Sequence, residues 1–191
     1  MDNATYWLYI YEKYLAERVN KMRIIITDIT KFKNEELVCT AGIDTETNDC
    51  IRPLKCISGQ NPYLTRDYCI KNNILPGTII EGEFISAKDC IRPHSEDRNY
   101  RGELIVRGTC SSEEFRDILV KTASGSVEEG FSVRLDDNQK YIPTNLAPDI
   151  SIITLSIDPK KFKIMPGYNN STKIKATFFD KAGKSFRYMP V

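Results

Sequence analysis

Two stretches of this chain, one near each end, follow the same plan. Residues 41–54 read AGIDTETNDCIRPL and residues 177–191 read TFFDKAGKSFRYMPV. Each is an apolar run ending in Asp, then a polar turn, then an apolar–Arg–apolar run that stops at Pro. In the second copy Arg187-Tyr188-Met189-Pro190 answers to Arg52-Pro53 with two extra residues. A polar turn between two β-forming runs reads as a hairpin, and proline ends the second arm because it cannot donate to the strand ladder. A lone hairpin is marginal in water, so each must belong to a larger sheet with a buried face. One such hairpin near each end of 191 residues points to two similar small β units in tandem.

The segments between support this. Arg23-Ile24-Ile25-Ile26-Thr27-Asp28 is β-branched and apolar, as a buried strand requires. Glu36 to Asp44 alternates, and Thr78 to Ser86 and Glu103 to Thr109 are further strands. Ile150 to Ile157, Lys173 to Asp180 and Lys184 to Pro190 close the chain. Two short helices interrupt them. One covers Thr65 to Asn72. The other opens at Ser111-Ser112-Glu113-Glu114, with Ser111 as cap and Glu114 completing a capping box, and runs to about Lys121. Thr122 to Gly130 reads as a small-residue loop. Residues 2–21 stand apart: Trp7, Ile10, Tyr11, Tyr14 and Leu15 share one helical face. That amphipathic helix either packs on its own chain or docks on a protein partner or a second copy. Met22 offers an alternative start. The expected division is a helical extension over 1–21, a first barrel over 22–109 and a second over 110–191.

Composition removes several function classes. Lys and Arg total 27 against 26 Asp and Glu, a net charge of +1. A protein that wraps long duplex DNA needs a clear basic excess to neutralise phosphates. A nucleic-acid role here must use a local patch, or a short or small ligand. The six cysteines include no C-x-x-C pair, so a zinc ribbon is not expected; they read as reduced thiols of a cytoplasmic protein. No window approaches 18 apolar residues, so no membrane role is expected. There is no Walker A loop, G-x-G-x-x-G, G-x-S-x-G or H-E-x-x-H. His94-Ser95-Glu96 has the H-x-E shape of a zinc deaminase, but no P-C-x-x-C follows. No cofactor, no metal and no catalytic residue are expected. A metal-dependent nuclease built on Asp28, Asp44, Glu96 and Asp97 is the enzymatic alternative.

Five short motifs then occur in order. They are Ile24-Ile25-Ile26-Thr27-Asp28-Ile29-Thr30-Lys31-Phe32, Cys50-Ile51-Arg52-Pro53-Leu54, Pro93-His94-Ser95-Glu96-Asp97, Cys110-Ser111-Ser112-Glu113-Glu114-Phe115 and Asp137-Asn138-Gln139-Lys140-Tyr141-Ile142-Pro143. The ordered set resembles the dual OB domain-containing family of prokaryotes, in which two OB-like barrels are fused, over about Met22 to Val191. The resemblance implies a mostly β fold of two tandem OB-like barrels with short helices, plus the N-terminal helix. It also implies binding of nucleic acid or a nucleotide in a setting of defence against foreign nucleic acid, and a further segment beyond Val191. Fold alone does not fix function, so the role rests on analogy.

The residues suited to that role form three groups. Arg52 and Arg92 share a Cys-Ile-Arg-Pro context and offer a rigid fork for phosphate. The loop from Arg92 to Tyr100 adds His94, Glu96, Asp97 and Tyr100. Asn138, Gln139, Lys140 and Tyr141 supply base-edge readers, a cation and a stacking ring. Phe32 between Lys31 and Lys33 is a further stacking position. Each has a plain alternative: a strand arginine facing solvent, a solvated loop, a polar turn, a core phenylalanine. The expected ligand is a short single-stranded nucleic acid or a nucleotide. A protein-interaction adaptor docking through residues 2–21 is the alternative from a different class.

Overall fold

The computed structural model describes residues 20–33, 36–55, 61–86, 93–137, 139–167 and 173–190, and they are mostly β. The chain divides into two compact units. Described residues of the first are 20–86 and 96–115; those of the second are 93–95 and 116–190. The helix expected over 2–21 lies outside the described residues except at its end. There Asn20 and Lys21 are strand, paired with Phe84 and Glu83; the boundary of the extension is corrected accordingly.

The first unit is a closed five-stranded barrel. Its strands are β1 (Asn20–Lys31), β2 (Leu37–Asp44), β3 (Cys50–Lys55), β5 (Thr78–Ser86) and β6 (Asp97–Thr109), with a two-residue β4 (Leu64–Thr65) on the edge of β2. The ring runs β1-β2-β3-β6-β5 and returns to β1; β3 and β6 are parallel and the other ring pairs antiparallel. Helix α1 (Arg66–Lys71), capped by the Thr65 hydroxyl, joins the third ring strand to the fourth. This order is consistent with an OB-like barrel.

Ile24, Ile26, Ile51, Ile80 and Phe84 fill the barrel and are essentially inaccessible to water. Each contributes roughly 1.5–3 kcal/mol by burial. Gly42 is required where β2 crosses β1. A Cβ there would lie 2.5 Å from Ile24 Cγ2 and 2.6 Å from the Ile25 carbonyl oxygen.

Helix α2 (Ser112–Thr122) has the expected capping box: Glu114 N–H donates to Ser111 Oγ at 3.1 Å, and Ser111 N–H to Glu114 Oε2 at 2.8 Å. The second unit contains a parallel pair, β7 (Ala123–Ser124) with β8 (Thr154–Leu155). It also contains an antiparallel sheet with β10 (Ile174–Phe179) between β9 (Lys163–Pro166) and β11 (Ser185–Pro190). A short helix α3 (Val127–Phe131) occupies part of the expected loop 122–130, because Ser126 and Glu129 form a second capping box. Of the strand expected over 150–157, only Thr154 and Leu155 find a ladder partner.

Both echoing segments are antiparallel hairpins, and they lie in separate sheets. The shared Asp has the same task in each. Asp44 is buried and its Oδ1 accepts from the N–H groups of Glu46 and Thr47. Asp180 is also buried; its Oδ1 accepts from Lys184 N–H and its Oδ2 from Val127 N–H. A side-chain carboxyl that accepts from the amides of its own turn fixes the hairpin's tight end.

Candidate nucleic-acid interface

Four cations gather at one groove beside the β9–β10–β11 sheet. A groove of about 420 Å3 is lined by Lys160, Lys161, Lys163, Thr177, Phe179, Arg187 and Tyr188, with Met165 beside them. Local sequence puts the lysines there. Asp158 Oδ1 accepts from Lys160 N–H at 2.9 Å and Pro159 starts a single 3-10 turn, Pro159–Lys161, that ends on the two lysines. Lys163 then opens β9 directly across from Thr177. Among the described residues none of the four cations forms an ion pair. No carboxylate lines the groove. By contrast Lys184, outside it, is spent on Glu128 Oε1 at 3.0 Å and on the Leu135 carbonyl.

The aromatic edge of the groove is set by a bulge. Ala176 pairs with Met189 and Phe178 with Phe186, so Thr177 alone faces both Arg187 and Tyr188. A two-against-one bulge twists the strand and re-aims its side chains, and bulges gather beside functional sites. Tyr188 has φ +57°, a left-handed conformation rare for an aromatic residue, and its N–H donates to Thr177 Oγ1 at 3.1 Å. The residue is nonetheless 52% exposed. Strain held for an exposed ring is an outlier that points to use. The bulge accounts for one of the two extra residues of the second hairpin and carries Arg187 and Tyr188. The neighbouring side chains Phe178, Phe186 and Met189 line a separate, apolar cavity. Phe178 does so by the alternation along β10, and Phe186 and Met189 share that side because the bulge takes up Arg187 and Tyr188 between them.

The structure separates the residues singled out from sequence. Arg52 is turned inward in the barrel with its side chain 7% exposed. Its Nε donates to Asp97 Oδ1 at 2.5 Å and its Nη2 lies 3.8 Å from Glu96 Oε1. Burial works against its charge, but the hydrogen bond and charge of Asp97, with Glu96 behind them, hold its pKa above the ordinary arginine value. Asp97 to Tyr100 were expected in a loop. They are strand instead, because they pair in parallel with Arg52 to Lys55. Tyr100 is 4% exposed, edge-on to Phe84 with centroids 6.2 Å apart, so its ring fills the core rather than offering a face to a base. Burial pushes its hydroxyl up to about 12.

In the second unit His94 Nδ1 lies 3.2 Å from Ser151 Oγ. The Gln139 amide is taken by its own turn, accepting from Asp136 N–H and donating to the Tyr141 carbonyl. Lys140 Nζ sits 6.0 Å from the Tyr188 ring centroid, and Tyr141 is 72% exposed. Lys140 and Tyr141 line the apolar cavity. Arg92 and Asn138 lie outside the described residues. Phe32 packs on Tyr63, centroids 4.5 Å apart.

The carboxylates of the nuclease reading are not assembled. Asp28 accepts from Thr30 Oγ1, Asp44 is held by its turn, and Glu96 and Asp97 flank Arg52. Among the described residues no cluster of three or more His, Cys, Asp or Glu has the spacing of a metal site.

Lys160, Lys161, Lys163 and Phe179 were not singled out, and Arg187 and Tyr188 entered only as part of the hairpin echo. The signal was present: residues 158–191 hold eight Lys and Arg against two Asp. Averaging to +1 over the whole chain concealed it.

No family model, curated protein or solved structure matches this chain. Among the described residues no helix is long and apolar enough to cross a membrane.

Proposed function

We propose that the protein binds single-stranded nucleic acid, with the basic groove of the second unit as its main contact. The observation that carries this is the groove's make-up: four cations without acidic partners beside the exposed ring of Tyr188. A single strand needs a positive track for its backbone and aromatic faces for its bases. The groove is lined by four cations, whereas the neighbouring cavity is apolar with Lys140 as its one lining cation. That favours a strand over a free nucleotide, whose phosphates need several donors at one point.

The OB-like barrel of the first unit is read as part of the same module. Its Phe32–Tyr63 pair lies beside Lys31 and Lys33 in the chain, at the β1–β2 connection, an edge that such barrels use for oligonucleotides. The duplication reading is retained at the level of the hairpin, whose Asp-capped turn recurs in both units.

Fluorescence anisotropy with labelled ten-nucleotide strands, over a series of salt concentrations, tests the proposal. Each neutralised phosphate on a single strand contributes a log–log slope of roughly −0.7, so full use of the four cations gives about −2.8. The double substitution Lys160→Gln, Lys161→Gln should flatten the slope to about −1.4. Tyr188→Ala should weaken binding by roughly 1–3 kcal/mol. Absence of binding at low salt, or binding indifferent to all three substitutions, rejects the groove.

A further inference from the structure

The cavity behind the sheet has its own chemistry. Its volume is about 470 Å3, within the range of roughly 300–1,000 Å3 usual for small-molecule sites. Phe131, Leu135, Ile153, Phe178 and Phe186 are among its lining, and Phe178 stacks on Phe186 with centroids 5.0 Å apart. Polar lining residues are few: Lys140, Tyr141 and Ser151. No Asp or Glu lines it. Lys140 forms no ion pair among the described residues; the only partner it has there is the Tyr188 ring. An apolar body has somewhere to go, and one negative charge has something to meet. A polyanion does not, since a single cation cannot balance it, and a neutral hydrocarbon leaves the ammonium unused.

We propose that this cavity is a binding site for a small amphipathic carboxylate, its apolar body against Phe131, Phe178 and Phe186 and its head group on Lys140. The inference does not depend on nucleic-acid binding. Desolvated apolar surface supplies affinity, and the charge-assisted contact at the rim selects acids over alcohols of the same length.

Isothermal titration of the full chain with decanoate and with 1-decanol, at pH 7 and in the absence of nucleic acid, tests it. Decanoate should bind with one site per chain and raise the thermal midpoint. Lys140→Met, an exposed position that leaves the fold alone, should weaken decanoate about tenfold and leave 1-decanol unchanged. Ala147→Phe, which places a ring in the cavity, should abolish binding of both. Absence of saturable decanoate binding to the unsubstituted chain overturns the proposal. So does equal loss of acid and alcohol in Lys140→Met, which would remove the head-group contact from Lys140. Retained binding in a folded Ala147→Phe protein overturns it as well, by moving the site elsewhere.

Discussion

Replacing Arg52 with alanine removes a guanidinium from beside two carboxylates, Glu96 and Asp97, held inside the barrel. The Glu96 side chain is 1% exposed and that of Asp97 14%, so water cannot take the place of the arginine without opening the structure. Breaking a buried ion pair from one side costs about 3–5 kcal/mol, most of it the penalty on the charge left behind. A unit of this size has about 5–15 kcal/mol in total. At an m-value of about 2 kcal/mol/M the urea midpoint should fall by roughly 2 M. Two controls separate the charge from the shape. Arg52→Met keeps the apolar stem and should lose nearly as much. The triple variant Arg52→Met, Glu96→Gln, Asp97→Asn removes all three charges together and should recover most of the loss, since uncharged groups of similar volume often replace a buried ionic cluster at little cost. Equilibrium unfolding followed by circular dichroism gives all three numbers. A loss below about 1 kcal/mol for Arg52→Ala, or a triple variant no better than the single, would refute the reasoning. The orphaned Nη2 hydrogen-bonding position of Arg52 is consistent with a cluster that is costly to bury, not one optimised for stability.

Two further outcomes follow from strain and from titration. Tyr188 sits at φ +57°, so Tyr188→Gly should stabilise the protein by about 1 kcal/mol while lowering oligonucleotide affinity, and Tyr188→Ala should lower affinity without that gain; a urea midpoint that drops in the glycine variant contradicts the strained backbone. Burial, with the Glu96 carboxylate behind it, pushes the Cys50 thiol up from 9.0 to about 12. Its folded pKa is raised, so its contribution to stability is fully present below about pH 9 and is lost as pH climbs from there towards 12. Unfolding at pH 8 and pH 10.5 should show a larger fall for the unsubstituted protein than for Cys50→Ala, and iodoacetamide at pH 8 should label Cys50 far faster in urea than in buffer. Equal falls, or rapid native labelling, would place Cys50 in water.

Local chemistry was legible wherever the controlling contacts lie within a few residues. The β-branched run at Ile24 to Ile26 became a barrel strand. Ser111 capped the helix it was expected to cap, a short helix formed within 65–72 with Thr65 as its cap, and the Asp-led turns closed both hairpins. Ser126 and Glu129 had the capping-box spacing too, but the small residues around them suggested a loop.

Partners distant in sequence were a different matter. Arg52 meets Asp97 across 45 residues because β3 and β6 run parallel, and a parallel neighbour leaves no turn between the strands to announce it. That pairing also made strand of Asp97 to Tyr100, converting a recognition loop into barrel wall. The basic groove required three things at once: a 3-10 turn that ends on Lys160 and Lys161, the register of β9 on β10, and a one-residue bulge opposite Thr177. The sequence by itself determined a mostly β chain, its hairpin turns and helix caps, and a basic final segment, since these follow from residue type and near spacing. Only the tertiary structure decided which charges were buried against one another and which were left facing water, because that depends on strand pairing over distances at which the chain carries no local signal.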